Sequence, residues 1–192
     1  MGDATAVLES VKASERELAA SVASLEERLN RTPSSDSVSM VVFSGELDRI
    51  LASFTLATGA AASGMKVTMF FTFWAIAALR NGGPQPASKN LIERMFGWMI
   101  PRGAGRLPLS KLNFGGLGRW LLTREMRRKG APDLASLIGI AGELGVRIRV
   151  CEAVMNMLGI KRDELIDYPE LDVCGVAAFM EDAGASGMTL FI

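Results

Sequence analysis

The feature that most constrains this 192-residue chain is a pair of predominantly apolar runs, each followed by a helical pattern. Residues 38–43 are apolar apart from Ser39 and rich in β-branched side chains, and Ser44-Gly45 ends them. Residues 66–73 form a second such run. A strand with one wet face alternates apolar and polar residues. These runs do not, so both faces of their sheet are covered. Between them, residues 46–63 put Leu47, Ile50, Leu51, Phe54 and Ala57 on one side of a helix that Gly64 stops. Residues 74–80 read as a short helix ended by Asn81-Gly82-Gly83-Pro84. The alternation resumes at Pro132-Asp133, which opens a helix to Gly145 with Leu134, Leu137, Ile138, Ile140, Ala141 and Leu144 inward. A strand over 146–150, short helices through Leu158 and at 163–165, a helix over 174–183 and a strand over 188–192 follow. The repetition predicts a compact three-layer α/β domain with a mostly parallel sheet of four to five strands.

Two segments stand outside that pattern. Residues 1–31 predict an N-terminal amphipathic helix, with Leu18, Val22, Leu25 and Leu29 at coiled-coil spacing. So short a seam needs support. It docks on its own domain or it assembles subunits. Residues 32–37 read as a linker, leaving 38–192 as the α/β domain. Within it, residues 84–130 form a basic, apolar, Gly-rich insert, with Arg94, Arg102, Arg119, Arg124, Arg127 and Arg128 beside Met95, Phe96, Trp98, Phe114 and Trp120. Such an insert packs onto the core or a second subunit, or it is a lid, a partner surface or a membrane-facing patch.

Composition excludes several functions. Lys plus Arg and Asp plus Glu both total 21, so no global field draws nucleic acid. The chain has no histidine. Ser-His-Asp and Cys-His catalysis within one chain, and histidine metal sites, are therefore excluded. Two cysteines cannot staple a fold of this length, and with no secretory pattern at the N-terminus they point to a reducing cytoplasm. The most apolar stretch, 47–79, is broken by Gly59, Gly64 and Lys66 and does not read as a membrane span. No cofactor or metal is expected. Gly115-Gly116-Leu117-Gly118 follows no long strand, and the acidic residues Asp163, Glu164, Asp167, Glu170 and Asp172 read as solvated surface. Ser44-Gly45 closes a strand and opens a helix, a turn that can bind an anion.

Cys151 is the informative position. It follows the predicted strand 146–150 directly and precedes a helix, and ligands of parallel sheets bind at the carboxyl ends of strands. A thiolate there can attack sulfane sulfur and hold it as a persulfide, and Arg147 and Arg149 can assist it. The other reading is a buried, inert cysteine, with both arginines on a solvated face. Cys174 opens a predicted helix and is a second acceptor, a resolving thiol or part of the core. The 22 residues between the two exclude a CxxC motif.

Met40-Val41-Val42-Phe43-Ser44-Gly45-Glu46-Leu47-Asp48, Ala57-Thr58-Gly59-Ala60-Ala61 and Val67-Thr68-Met69-Phe70-Phe71-Thr72-Phe73-Trp74 resemble the DsrE/DsrF-like family. Met95-Phe96-Gly97-Trp98-Met99-Ile100-Pro101-Arg102-Gly103 and Leu109-Ser110-Lys111-Leu112-Asn113-Phe114-Gly115-Gly116-Leu117-Gly118 resemble the insert of its larger DsrE-type members. The likeness covers residues 38–192 and not the N-terminal helix. It implies a parallel α/β fold assembled as a homo-oligomer. It implies a sulfurtransferase-type carrier that takes sulfane sulfur as a persulfide and works with TusA-like or rhodanese-like carriers. The family's sulfur-carrying cysteine matches Cys151, and Cys174 matches a second cysteine of the subgroup. The alternative function is a non-catalytic oligomeric assembly or membrane adapter, using the N-terminal helix and the insert.

Overall fold

The computed structural model describes residues 12, 14–24, 34–84, 86 and 89–192. The chain divides into two units, 1–34 and 35–192. In the first, residues 14–24 are helical and carry Leu18 and Val22 of the expected seam, while Leu25 and Leu29 lie outside the described residues.

The second unit is built on five strands: β1 (Ser34–Val42), β2 (Lys66–Phe71), β3 (Arg147–Cys151), β4 (Leu171–Cys174) and β5 (Ser186–Phe191). Their order across the sheet is β4-β3-β2-β1-β5. β1–β2, β2–β3 and β3–β4 pair in parallel. At the other edge the Ile192 amide donates to the Val41 carbonyl, and the Phe43 amide to the Ile192 carbonyl. One residue bonded to both neighbours of a single partner residue is the parallel pattern, so the whole sheet is parallel. β1 begins at Ser34, so four of the six residues expected in a linker are strand. Serines enter this strand because ladder pairing supports it, Ser37 facing Lys66 in register. The Ser39 hydroxyl meets that of Ser186 on β5 at 2.6 Å.

The helices are α1 (Leu47–Ala62), α2 (Leu91–Met99), α3 (Leu117–Arg128), α4 (Leu134–Glu143), α5 (Glu152–Leu158) and α6 (Val176–Ala185), with a 3-10 helix over Phe73–Leu79. Alternation along β2 assigns the layers. Phe71 meets Phe54 of α1 at a ring distance of 5.9 Å, whereas Phe70 stacks on Phe179 of α6 at 4.6 Å. α1 and α6 therefore cover opposite faces, as predominantly apolar strands demand. Met40, Met69, Phe71, Ile148 and Val150 fill the α1 side, and all are buried. α4 packs against α1 through Leu134, Leu137 and Ala141. Ile140 and Leu144, expected on that buried side, are exposed instead, because the contact seam is narrower than the apolar stripe. Asp133 caps α4 by accepting from the Ser136 amide at 2.9 Å.

The turn after β1 needs glycine. A Cβ on Gly45 would lie 2.7 Å from the Trp74 carbonyl oxygen. The Ser44 hydroxyl donates to the Glu46 carboxylate beside it. The Glu46 carboxylate thus lies at the turn that was expected to suit an anion. The insert forms α2 and α3. It sends Ile100 and Leu107 into the core and leaves Leu91, Trp98 and Phe114 exposed. Among the described residues no helix is long and apolar enough to cross a membrane.

Candidate functional site

Cys151 and Cys174 are the last residues of β3 and β4, and they are register partners. Sequence placed Cys174 in a helix, but it ends a strand, and α6 starts two residues later at Val176. Neighbouring strands lie about 4.8 Å apart, so the two Cα atoms face each other across one strand gap. Register partners point to the same side of a sheet, and the parity of β2 and β3 assigns that side to α6. The fold thus brings together two residues that are 22 positions apart in sequence. Both thiols are free.

Their surroundings differ. Cys151 is only 2% exposed and belongs to the hydrophobic core. Cys174 is partly exposed on the edge strand β4. Arg149, two residues before Cys151 and on the same side, is the register partner of Asp172, two residues before Cys174. It is held in place by Asp182 of α6, with Nε 2.9 Å from the carboxylate. Burial pushes the Cys174 thiol up from its ordinary value. Arg149 pulls it back, while the Asp172 and Asp182 carboxylates add to the rise. At neutral pH the resting Cys174 is a thiol beside a fixed cation.

Of the two arginines considered from sequence, only Arg149 serves the pair. Arg147 is exposed, with the edge of β4 beside it. Asp182 was missed altogether. Its signal was its place one helical turn past Phe179, on the side of α6 that meets the sheet. The strand ends also carry exposed aromatics. Phe43 lies 5.3 Å from Phe73 and 6.1 Å from Phe191 by ring centroid.

The acidic run is not wholly solvated. Glu164 is 4% exposed and ion-pairs with Arg80, at 2.8 Å, and with Lys89. Burial works to raise its carboxyl, but the Lys89, Lys161 and Arg80 hydrogen bonds outweigh it and hold the group below the usual carboxylate range. No cluster among the described residues suits a metal ion. A cavity of about 450 Å³ opens elsewhere, between α1, α3 and α4, lined by Leu47, Leu51, Arg119, Trp120 and Leu134. Neither cysteine touches it.

With this geometry in view, the relatives acquire meaning. Residues 34–191 match the model of the DsrE/DsrF/DrsH-like family, and the chain belongs to that family. It is 41% identical over 153 residues to "Uncharacterized protein YrkE" of Bacillus subtilis, covering 80% of this chain and 94% of that protein. It is 28% identical over 159 residues to "Sulfur carrier protein DsrE2" of Allochromatium vinosum, covering 81% of this chain and 97% of that protein. Among solved structures it is similar to the ychN protein of E. coli, with a TM-score of 0.44 and 10% identity over 82% of this chain and 99% of that one. The family and the relative named a sulfur carrier support a role in sulfur transfer.

Proposed function

We propose that the protein is a sulfur carrier that holds sulfane sulfur as a persulfide on Cys151 and passes it to a partner carrier of the TusA-like or rhodanese-like kind. The observation that supports this most is the register pairing of Cys151 with Cys174 at the carboxyl ends of adjacent parallel strands. That end of a parallel sheet is where ligands bind. A buried sulfur is kept from water and stray reductants, and a persulfide is the form in which a thiol stores sulfur without a cofactor. The test is intact-protein mass spectrometry after incubation with polysulfide. The native chain should keep one added sulfur mass through a brief wash with dilute reductant and lose it to excess reductant, whereas Cys151→Ser should lose it in the brief wash. Equal retention by Cys151→Ser would move the carrier role to Cys174.

A second reading is favoured by exposed apolar surface. Leu91 is 85% and Trp98 82% exposed on α2, and Phe191 is 74% exposed among the aromatics at the strand ends. Patches of this kind mark contact surfaces. In this reading the protein is a subunit of a homo-oligomer joined through the insert. Light scattering should then give a mass several times 20.6 kDa, and Trp98→Asp should lower it. Binding of the intact chain to anionic vesicles would instead assign the insert to a membrane surface.

A further inference from the structure

We infer that Cys174 is the entry thiol of a two-cysteine relay: sulfur is first captured on Cys174, at the sheet edge, and then moves to Cys151 in the core. The inference rests on the persulfide-carrier reading and adds an order of events to it.

Three observations carry it. First, the pair shows a gradient of access. Cys151 is 2% exposed, so a protein-borne persulfide cannot reach its sulfur without opening the core, whereas Cys174 is partly exposed on an edge strand. Second, the two are register partners on one side of the sheet, close enough for a sulfur on one residue to be attacked by the other. Third, Arg149 faces Asp172 in register, two residues before the cysteine pair and on its side of the sheet. The anion formed on capture therefore has a fixed counter-charge, which Asp182 anchors. Beside Cys174, α6 presents Val176 and Met180 one turn apart, 53% and 61% exposed. These give an incoming carrier apolar contact next to the entry thiol.

The chemistry balances without an outside oxidant. The Cys174 thiolate attacks the outer sulfur of a donor persulfide. A sulfur–sulfur bond to Cys174 forms, and the donor leaves as a thiolate. The Cys151 thiolate then attacks the terminal sulfur held on Cys174. The new bond joins that sulfur to Cys151, and the bond to Cys174 breaks. Its electron pair stays on the Cys174 sulfur, which takes up the proton Cys151 gave. Attack on the inner sulfur instead would join the cysteines in a disulfide and release sulfide. That is a different reaction, and one that discharges the carrier.

The test uses the full chain and a bulky small-molecule persulfide, glutathione persulfide, with rapid acid quench and peptide mapping. In the native chain the added sulfur should appear on the Cys174 peptide first and on the Cys151 peptide later. In Cys174→Ser and Cys174→Ala, loading of Cys151 should slow by at least about tenfold, because the positioned intermediate is lost. In Cys151→Ser the sulfur should stop on Cys174 and be removed quickly by reductant. Loading of Cys151 at the native rate in both Cys174 variants, or sulfur on Cys151 first in the native chain, would overturn the relay and leave the carrier reading standing. A native chain that loses two hydrogens and releases sulfide would also overturn it. No adduct on any form would remove the carrier reading and the relay with it.

Discussion

Arg80 and Arg149 each pair with a carboxylate brought from far along the chain, in opposite settings. Arg80 is 1% exposed. Its guanidinium reaches Glu164 and also the Gly97 and Ile100 carbonyls, at 3.3 and 3.1 Å, where α2 ends. With Lys89 added, this cluster carries two cations and one carboxylate. The carbonyls at the C-terminus of α2 share the excess positive charge. The cluster ties the insert to the body of the domain. Arg149 and Asp182 form a pair at the sheet edge, part-open to solvent, with a thiol as third member. The same pairing of guanidinium and carboxylate is a fastening in one place and an electrostatic setting for a sulfur atom in the other. Burial and the neighbouring thiol make the difference, not the residue types.

The largest expected effect falls on the buried cluster. Glu164→Gln removes the carboxylate that faces two buried cations, Arg80 and Lys89. Leaving charges buried without a partner costs about 3–5 kcal/mol. Urea unfolding should show that loss. Asp182→Asn, at a pair that water reaches, should cost about 1 kcal/mol or less. Equal losses at the two sites would break the comparison.

Acid should separate the clusters next. Glu164 is held below its ordinary value of 4.5. Its contribution is fully present above that value and is lost as pH falls through the lower, folded one. The native chain should therefore destabilise on its acid side as Glu164 protonates. Glu164→Gln, which has nothing to protonate there, should show a shallower acid limb in thermal melts from pH 6 to pH 3. A limb as steep as the native one would assign acid sensitivity to Asp48 and Asp133 instead. Both are held low by hydrogen bonds, from Ser110 against opposing burial and from Ser136 respectively.

Much of this architecture is legible in sequence, and the limits have physical causes. The runs at 38–43 and 66–73 are mostly apolar, with neighbouring apolar residues at 40–43 and 69–71, because helices cover both faces, so β1 and β2 declare themselves. β4 does not. It has four residues, one of them Asp172, and an edge strand needs only one apolar side to stay paired. Missing β4 also hides the site, because the meeting of Cys151 and Cys174 exists only through the β3–β4 register. Glu164 was read as surface because its sequence neighbours are acidic and wet. Its partners, Arg80 and Lys89, lie far up the chain, and nothing local signals them. Cys151 itself was legible, since a strand end in a parallel sheet is a position that pattern can locate.

The finest test concerns Arg149. In a Cys151→Ser background the chain has one thiol, Cys174, and its rate of alkylation follows its thiolate fraction. Burial and the Asp172 and Asp182 carboxylates raise this thiol, while Arg149 opposes them. Removing Arg149 leaves only the raising influences. Arg149→Gln should therefore shift the alkylation–pH curve to higher pH and slow the reaction a few-fold near neutrality. Arg149→Lys, which keeps the charge without the planar fork, should fall between. A purely structural arginine would leave the curve in place and change only the melting temperature. A curve that stays put, or moves to lower pH, would make Arg149 another fastening like Arg80. A shift to higher pH would set the two arginines apart by the thiol that only Arg149 faces.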